Sequence, residues 1–165
     1  MDEEKTVMRN FPMNAVRLCI DHYEDDIQGR LYNKMSPKEL SFQNCSEMLL
    51  KTDTLFDHHG YPQTFQEKRS FYKEKEKQGK HGVPKEASNN ATIEEQRGQY
   101  CTLDMIILSR RCAGWQGILL YTDGTEAARF QSEMELLEYI WKILADTDRI
   151  SGRSINQENK MEEKQ

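Results

Sequence analysis

Ile27-Gln28-Gly29-Arg30-Leu31-Tyr32 aligns on Trp115-Gln116-Gly117-Ile118-Leu119-Leu120, 88 residues further along the chain. With no gap, the same separation places Phe42-Gln43 on Phe130-Gln131, Glu47 on Glu135 and Leu49 on Leu137. Residue types match more widely than identities. Leu18 and Ile20 fall on Ile106 and Leu108, and Leu55 and Phe56 fall on Ile143 and Leu144. A chain that repeats itself in register across two turns reads as two copies of one supersecondary unit.

Each copy reads as strand-strand-strand-helix. In the second, Leu103 to Leu108 is a short β-prone apolar run, and Arg111-Cys112-Ala113-Gly114 reverses the chain. A second strand runs from Trp115 to Tyr121. Asp123-Gly124 supplies the positive φ that a tight hairpin needs, and a third strand spans about Glu126 to Gln131. Ser132-Glu133-Met134-Glu135 has capping-box spacing, and Leu137, Ile140, Trp141 and Leu144 form an amphipathic stripe behind it. The first copy has strands at about Ala15 to His22, Ile27 to Lys34 and Glu39 to Gln43. Met35-Ser36-Pro37 turns the chain, and Asn44 with Glu47 makes the cap. Its stripe is Met48, Leu49, Thr52, Leu55 and Phe56, ended by Gly60 and Pro62.

Positions apolar in both copies should face the helix of their own sheet: Leu18/Ile106, Ile20/Leu108, Ile27/Trp115, Leu31/Leu119, Leu40/Ala128 and Phe42/Phe130. The opposite face then carries Arg17, Cys19, Arg30 and Tyr32 in the first copy. In the second it carries Met105, Ile107, Ile118 and Leu120, an apolar surface that does not stay bare in water.

The fold expected is α+β: two βββα units, each a small antiparallel sheet backed by a helix, packed with pseudo-two-fold symmetry. The first unit covers 13–59 and the second 100–148. Each is near the size at which a lone core is marginal, which favours docking of one on the other. Residues 60–99 read as a charged linker, with helical potential over Thr64 to Gln78 and a flexible stretch from about Gly79 to Glu95. Residues 149–165 read as a disordered tail. Only 36% of the 165 residues are hydrophobic, which fits a chain that spends part of its length outside a core.

Arg110-Arg111-Cys112-Ala113-Gly114-Trp115-Gln116-Gly117, followed by Phe130-Gln131-Ser132-Glu133-Met134-Glu135-Leu136-Leu137, resembles a group of short uncharacterised bacterial proteins. These share a W-Q-G strand and an F-x-S-x-x-E-L-L helix start. The resemblance covers about the last third of the chain. It implies a bacterial protein and no particular activity. The first copy departs from the pattern, with Ile27 in place of the tryptophan.

No phosphate-cradling loop, HExxH, G-x-S-x-G or CxxC motif occurs, so the sequence names no catalytic residue, no metal ligand and no cofactor. Glu24-Asp25-Asp26 reads as a solvated turn rather than a cation site, and His58-His59 as helix-end residues that favour the dipole. The four cysteines, Cys19, Cys45, Cys101 and Cys112, read as free thiols of a cytoplasmic protein. A metal site from Cys45 with His58 and His59 would require distant pieces to converge. The acidic start and the lack of a long apolar run argue against a secretory signal and a membrane partner.

The leading functional expectation is a non-enzymatic module that binds a protein partner or a second copy of itself. Its candidate contacts are Trp115, Gln116, Gly117, Ile118, Leu120, Met105 and Ile107. The alternative is a nucleic-acid-binding module using Arg110, Arg111, Lys73 and Lys77, with Arg17 and Arg30 extending the basic strip. The net charge of −5, and the glutamates between the linker lysines, weigh against it. An enzyme built from scattered residues ranks third.

Overall fold

The computed structural model describes residues 11–62, 90–110 and 114–162. In chain order they form β1 (Ala15–Tyr23), β2 (Ile27–Tyr32), β3 (Leu40–Phe42), α1 (Cys45–His59), α2 (Asn90–Glu94), β4 (Cys101–Ser109), β5 (Gln116–Tyr121), β6 (Glu126–Phe130) and α3 (Glu133–Glu162). The fold is α+β. All six strands lie in one antiparallel sheet, in the order β3-β2-β1-β4-β5-β6. The two expected three-stranded sheets are thus one sheet, continuous where β1 pairs with β4.

Helix starts follow the cap chemistry. Asn44 sits in extended backbone and its side chain accepts from Glu47 N at 2.8 Å, while Glu47 Oε2 accepts from Gln43 N at 2.6 Å. Ser132 Oγ accepts from Glu135 N at 3.2 Å, and Glu135 Oε2 accepts from Gln131 N at 2.7 Å. In both, the glutamate returns to the amide one residue before the cap. Each start therefore satisfies two donors that have no helical partner. At the other end of α1, Gly60 N–H donates to the Asp57 carbonyl and Tyr61 N–H to the Phe56 carbonyl. The hairpin turn lies at Asp123-Gly124. Gly124 has φ 87°, and Asp123 Oδ1 accepts from Thr125 N at 2.8 Å.

α1 and α3 pack on the same face of the sheet and share one core. From α1 it takes Met48, Thr52 and Phe56, and from α3 Leu136, Ile140 and Leu144. Thr52 enters this apolar layer because its hydroxyl donates to the Met48 carbonyl at 2.8 Å. Leu49, Leu55, Leu137 and Trp141 flank the core partly buried, while Leu136, absent from the expected stripe, is fully buried. The sheet contributes Val16, Leu18, Ile20, Leu31, Phe42, Leu103, Met105, Ile107, Leu119 and Phe130.

That set corrects the reading of β4. Met105 and Ile107 are fully buried beneath the helices and do not lie on the outer face; Ile106 and Leu108 point outward instead. The pairing gives the reason. Gly29 stands opposite Phe42 and Gly117 opposite Phe130, so the separation of 88 holds from β2 to β5 and from β3 to β6. Leu18, however, stands opposite Leu31, whereas Met105 stands opposite Leu119, a separation of 87. Both long strands carry a bulge, between Ile20 and His22 and between Ile107 and Ser109. After it, His22 pairs with Gln28 and Ser109 with Gln116, so the second connection is one residue longer. A one-residue slip moves every side chain of a strand to the other face.

Two linker and tail expectations also change. α2 forms one helical turn at Asn90–Glu94, inside the stretch read as flexible, because Ile93 is buried against Phe11 and Ala15. α3 continues to Glu162, through most of the expected tail. Residues 149–162 contain one glycine, Gly152, and no proline, and a helix already nucleated by packing continues through such a stretch.

Candidate interaction surface

The sheet face away from α1 and α3 divides into a closed half and an open half. Over β1 and β2, the chain closes the face with its own segments. Phe11 and Ile93 bury against Ala15, with Tyr32 and Ile106 at the margin. Arg17 lies under this cover. Its Nε and Nη2 donate to the two Asp104 carboxylate oxygens at 2.8 Å each, and Nη1 donates to the Glu94 carbonyl at 2.7 Å. Arg30 makes a second fork, to Asp21 at 2.9 and 3.0 Å, and also donates to the Arg97 carbonyl. The Arg30 guanidinium holds the Asp21 carboxyl below its usual range. Tyr32 O–H donates to Glu39 Oε2 at 2.7 Å.

Over β4 and β5 the face is apolar. Ile106 stands opposite Ile118, and Asp104 opposite Leu120. Ile106, Ile118 and Leu120 are half-buried, and Leu108 is 55% exposed.

The remaining candidates from the sequence fall elsewhere. Trp115 is buried and its indole Nε1 donates to Asp53 Oδ1 at 3.3 Å, so it ties the start of β5 to α1. Gln116 Nε2 donates to the Gly114 and Gln131 carbonyls. Gly117 is a close-approach position, where a Cβ would lie 2.2 Å from the Ile106 carbonyl oxygen. Ile118 and Leu120, with Gln116, lie on the outer face and remain partly accessible, and of the three only Ile118 and Leu120 are apolar.

The basic strip is neutralised where it is described. Arg110 is buried, and its Nη2 donates to the carboxylates of Asp53 and Asp57 while its guanidinium lies over the Phe56 ring. Arg17 and Arg30 are held by Asp104 and Asp21. A cation already paired and desolvated is not free to neutralise a phosphate. Arg111, Lys73 and Lys77 lie outside the described residues.

Asp26 serves its own turn, with Oδ1 accepting from Ile27 N and Cys45 N. Cys45 and His58-His59 occupy opposite ends of the 15-residue α1 and are too far apart to share a metal ion. The two histidine rings meet edge-on at 5.0 Å, and burial lowers the His59 pKa.

No family model, curated protein or solved structure matches this chain.

Cys19 adds a probe of this face. It is fully buried, and burial pushes its thiol pKa up to about 11 against the opposing pull of Arg30 and Arg17. Native protein at pH 8 should leave Cys19 unreacted with a thiol reagent, labelling it only as the chain unfolds. The folded thiol holds its proton more tightly than the unfolded one, so its effect on stability is constant below the ordinary thiol pKa. Stability should then fall as pH rises from about 9 towards 11. Thermal unfolding of the parent and Cys19→Ala across that range checks this; equal slopes would refute it.

Proposed function

We propose that the protein is a non-enzymatic binding module of two βββα units fused in one chain, and that a protein partner docks on the outer face of β4 and β5. The observation that carries the docking reading is the contrast between the two halves of that face. The first is closed by Phe11, α2 and three satisfied polar side chains; the second presents Ile106, Leu108, Ile118 and Leu120. Contiguous accessible aliphatic side chains rimmed by polar residues mark a surface for protein contact.

The two-unit reading is supported by correspondences that reach beyond the strands. The separation of 88 relates the caps Asn44 and Ser132, the buried helix residues Met48, Thr52 and Phe56 with Leu136, Ile140 and Leu144, and the close-approach glycines Gly29 and Gly117. The pairing of β1 with β4 runs antiparallel, as a two-fold axis between the units requires. A second unit expressed alone would expose one full edge of β4, and we expect it to be unfolded. A folded monomer in sedimentation would overturn the pairing of units. Free thiols at Cys19, Cys45 and Cys101 fit the reducing cytoplasm proposed as its location, and no described helix is long and apolar enough to cross a membrane.

Ile118→Asp and Leu120→Asp test the docking surface. Both positions are partly accessible, so each variant should keep its fold while placing a charge in the contact. In affinity capture from native cells, with nuclease present, each should reduce recovery of the partner by at least about tenfold. Undiminished recovery by a folded variant would sink the surface, and recovery that nuclease abolishes would favour a nucleic acid instead.

A further inference from the structure

We infer that the β1–β4 seam is a self-association surface made specific for the unlike unit, and that the Arg17–Asp104 pair on its axis carries that specificity. The inference rests on the two-unit reading and identifies the residues that make one unit recognise the other.

The register locates the axis. Residues of β1 and β4 correspond at a separation of 87, since Leu18 and Met105 stand opposite the corresponding Leu31 and Leu119. Arg17 and Asp104 are separated by that same 87 residues. They are also direct partners across the seam. A position that faces its own counterpart lies on the axis relating the two units. In a pair of identical units the same side chain would meet itself there.

The chemistry at the axis excludes that outcome. Two first units would bring Arg17 against Arg17, and two second units Asp104 against Asp104. The site is buried, with side-chain exposures of 4% and 2%, so like charges would repel with little screening. Unlike units instead form a fork with both bonds at 2.8 Å. The other paired positions along the seam are Ala15 with Ile106, Val16 with Met105, Leu18 with Leu103, Cys19 with Thr102 and Ile20 with Cys101. None carries a full charge at neutral pH. Discrimination between like and unlike units along the seam therefore falls to one pair.

The strand ends repeat the pattern. Tyr23, at the end of β1, meets Trp141 of α3 with ring centroids 5.2 Å apart. The corresponding Arg110 donates to Asp53 of α1 at 2.8 Å, and Asp53 corresponds to Trp141 at the separation of 88. Each strand end reaches the helix of the other unit, by aromatic contact on one side and an ion pair on the other.

The test uses two full-length variants, Arg17→Asp and Asp104→Arg. Each places like charges on its own axis, and each should unfold at least about 8 °C below the parent. The two variants are then mixed in denaturant and refolded together. Exchange of units pairs Asp at 17 of one chain with Asp at 104 replaced by Arg in the other, and Arg17 with Asp104 across the remaining seam. The chain between α1 and α2 can reach about 100 Å when extended, enough to connect units belonging to two such seams. The expected product is a 1:1 heterodimer in native mass spectrometry, with an unfolding temperature above that of either variant alone and below the parent's, because the reversed pair loses the Arg17 donors to the Ile93 and Glu94 carbonyls. The single chain carrying both substitutions should also recover. Arg30→Asp and Asp21→Arg are the control, because that pair lies within one unit and exchange cannot restore it. Unchanged stability of the two seam variants, failure of either rescue, or equal rescue of the control would overturn the inference. These outcomes leave the two-unit reading standing; that reading fails if the isolated second unit is a folded monomer.

Discussion

Asp104→Leu should cost about 3–5 kcal/mol, while the double variant Arg17→Leu/Asp104→Leu should lie much closer to the parent. The asymmetry follows from desolvation. Both side chains are almost completely buried, and the Arg17 guanidinium gives two of its donors to the Asp104 carboxylate. Removing the carboxylate alone strands a cation in the middle of the sheet, with the Ile93 and Glu94 carbonyls as its remaining acceptors among the described residues. Removing both charges replaces an ion pair with aliphatic contact beside Phe11 and Ile93. Thermal unfolding decides the matter. For a chain of this size the single variant should melt roughly 10 °C lower, and a single variant as stable as the double would show that the pair is not strongly coupled.

Gly29→Ala is expected to be at least as damaging, at about 3 kcal/mol or more, with loss of soluble protein as its first sign. A Cβ there would sit 2.0 Å from the Cys19 carbonyl oxygen, which belongs to the backbone of the neighbouring strand and cannot rotate away. Gly117→Ala meets the Ile106 carbonyl oxygen at 2.2 Å and the Phe130 ring at 2.6 Å. Both glycines let a long strand and its neighbour approach beside a bulge, with a phenylalanine of the third strand opposite. A soluble Gly29→Ala protein with the parent's unfolding temperature would count against the close approach.

What was legible in the sequence was local. The caps at Asn44 and Ser132, the Asp123-Gly124 turn and most of the two helix stripes depend on residues within a few positions of one another. β2, β3, β5 and β6 are legible because one separation holds through them. The separation of 88 lays Leu18 on Ile106 and so turns β4 the wrong way, although the acid at Asp104 marks 104, 106 and 108 as the outer positions of the strand. The extra residue between Ser109 and Gln116 becomes visible only through pairing. Edge-to-edge joining of β1 and β4 is a contact between residues about 87 positions apart, and no local pattern encodes it. Of the candidate surface, Ile118 and Leu120 were legible by alternation, while the role of Ile106 and Leu108 was hidden by the same slip. Asp104 marks the outer face by alternation, but one acid in an apolar strand names no mate until its neighbour is known.

The strand order also governs how this protein behaves when crowded. The two longest strands, β1 and β4, lie against each other in the middle, and the sheet ends in β3, of three residues, and β6, of five. One carbonyl of β3, that of Ser41, already accepts from Lys51, and β6 carries Glu126 and Arg129 paired with each other on its exposed margin. Short, charged margins are poor templates for a foreign strand. With the margins so blunted, the long free edges that a foreign strand could join are those of β1 and β4, and they become available only when the central seam opens.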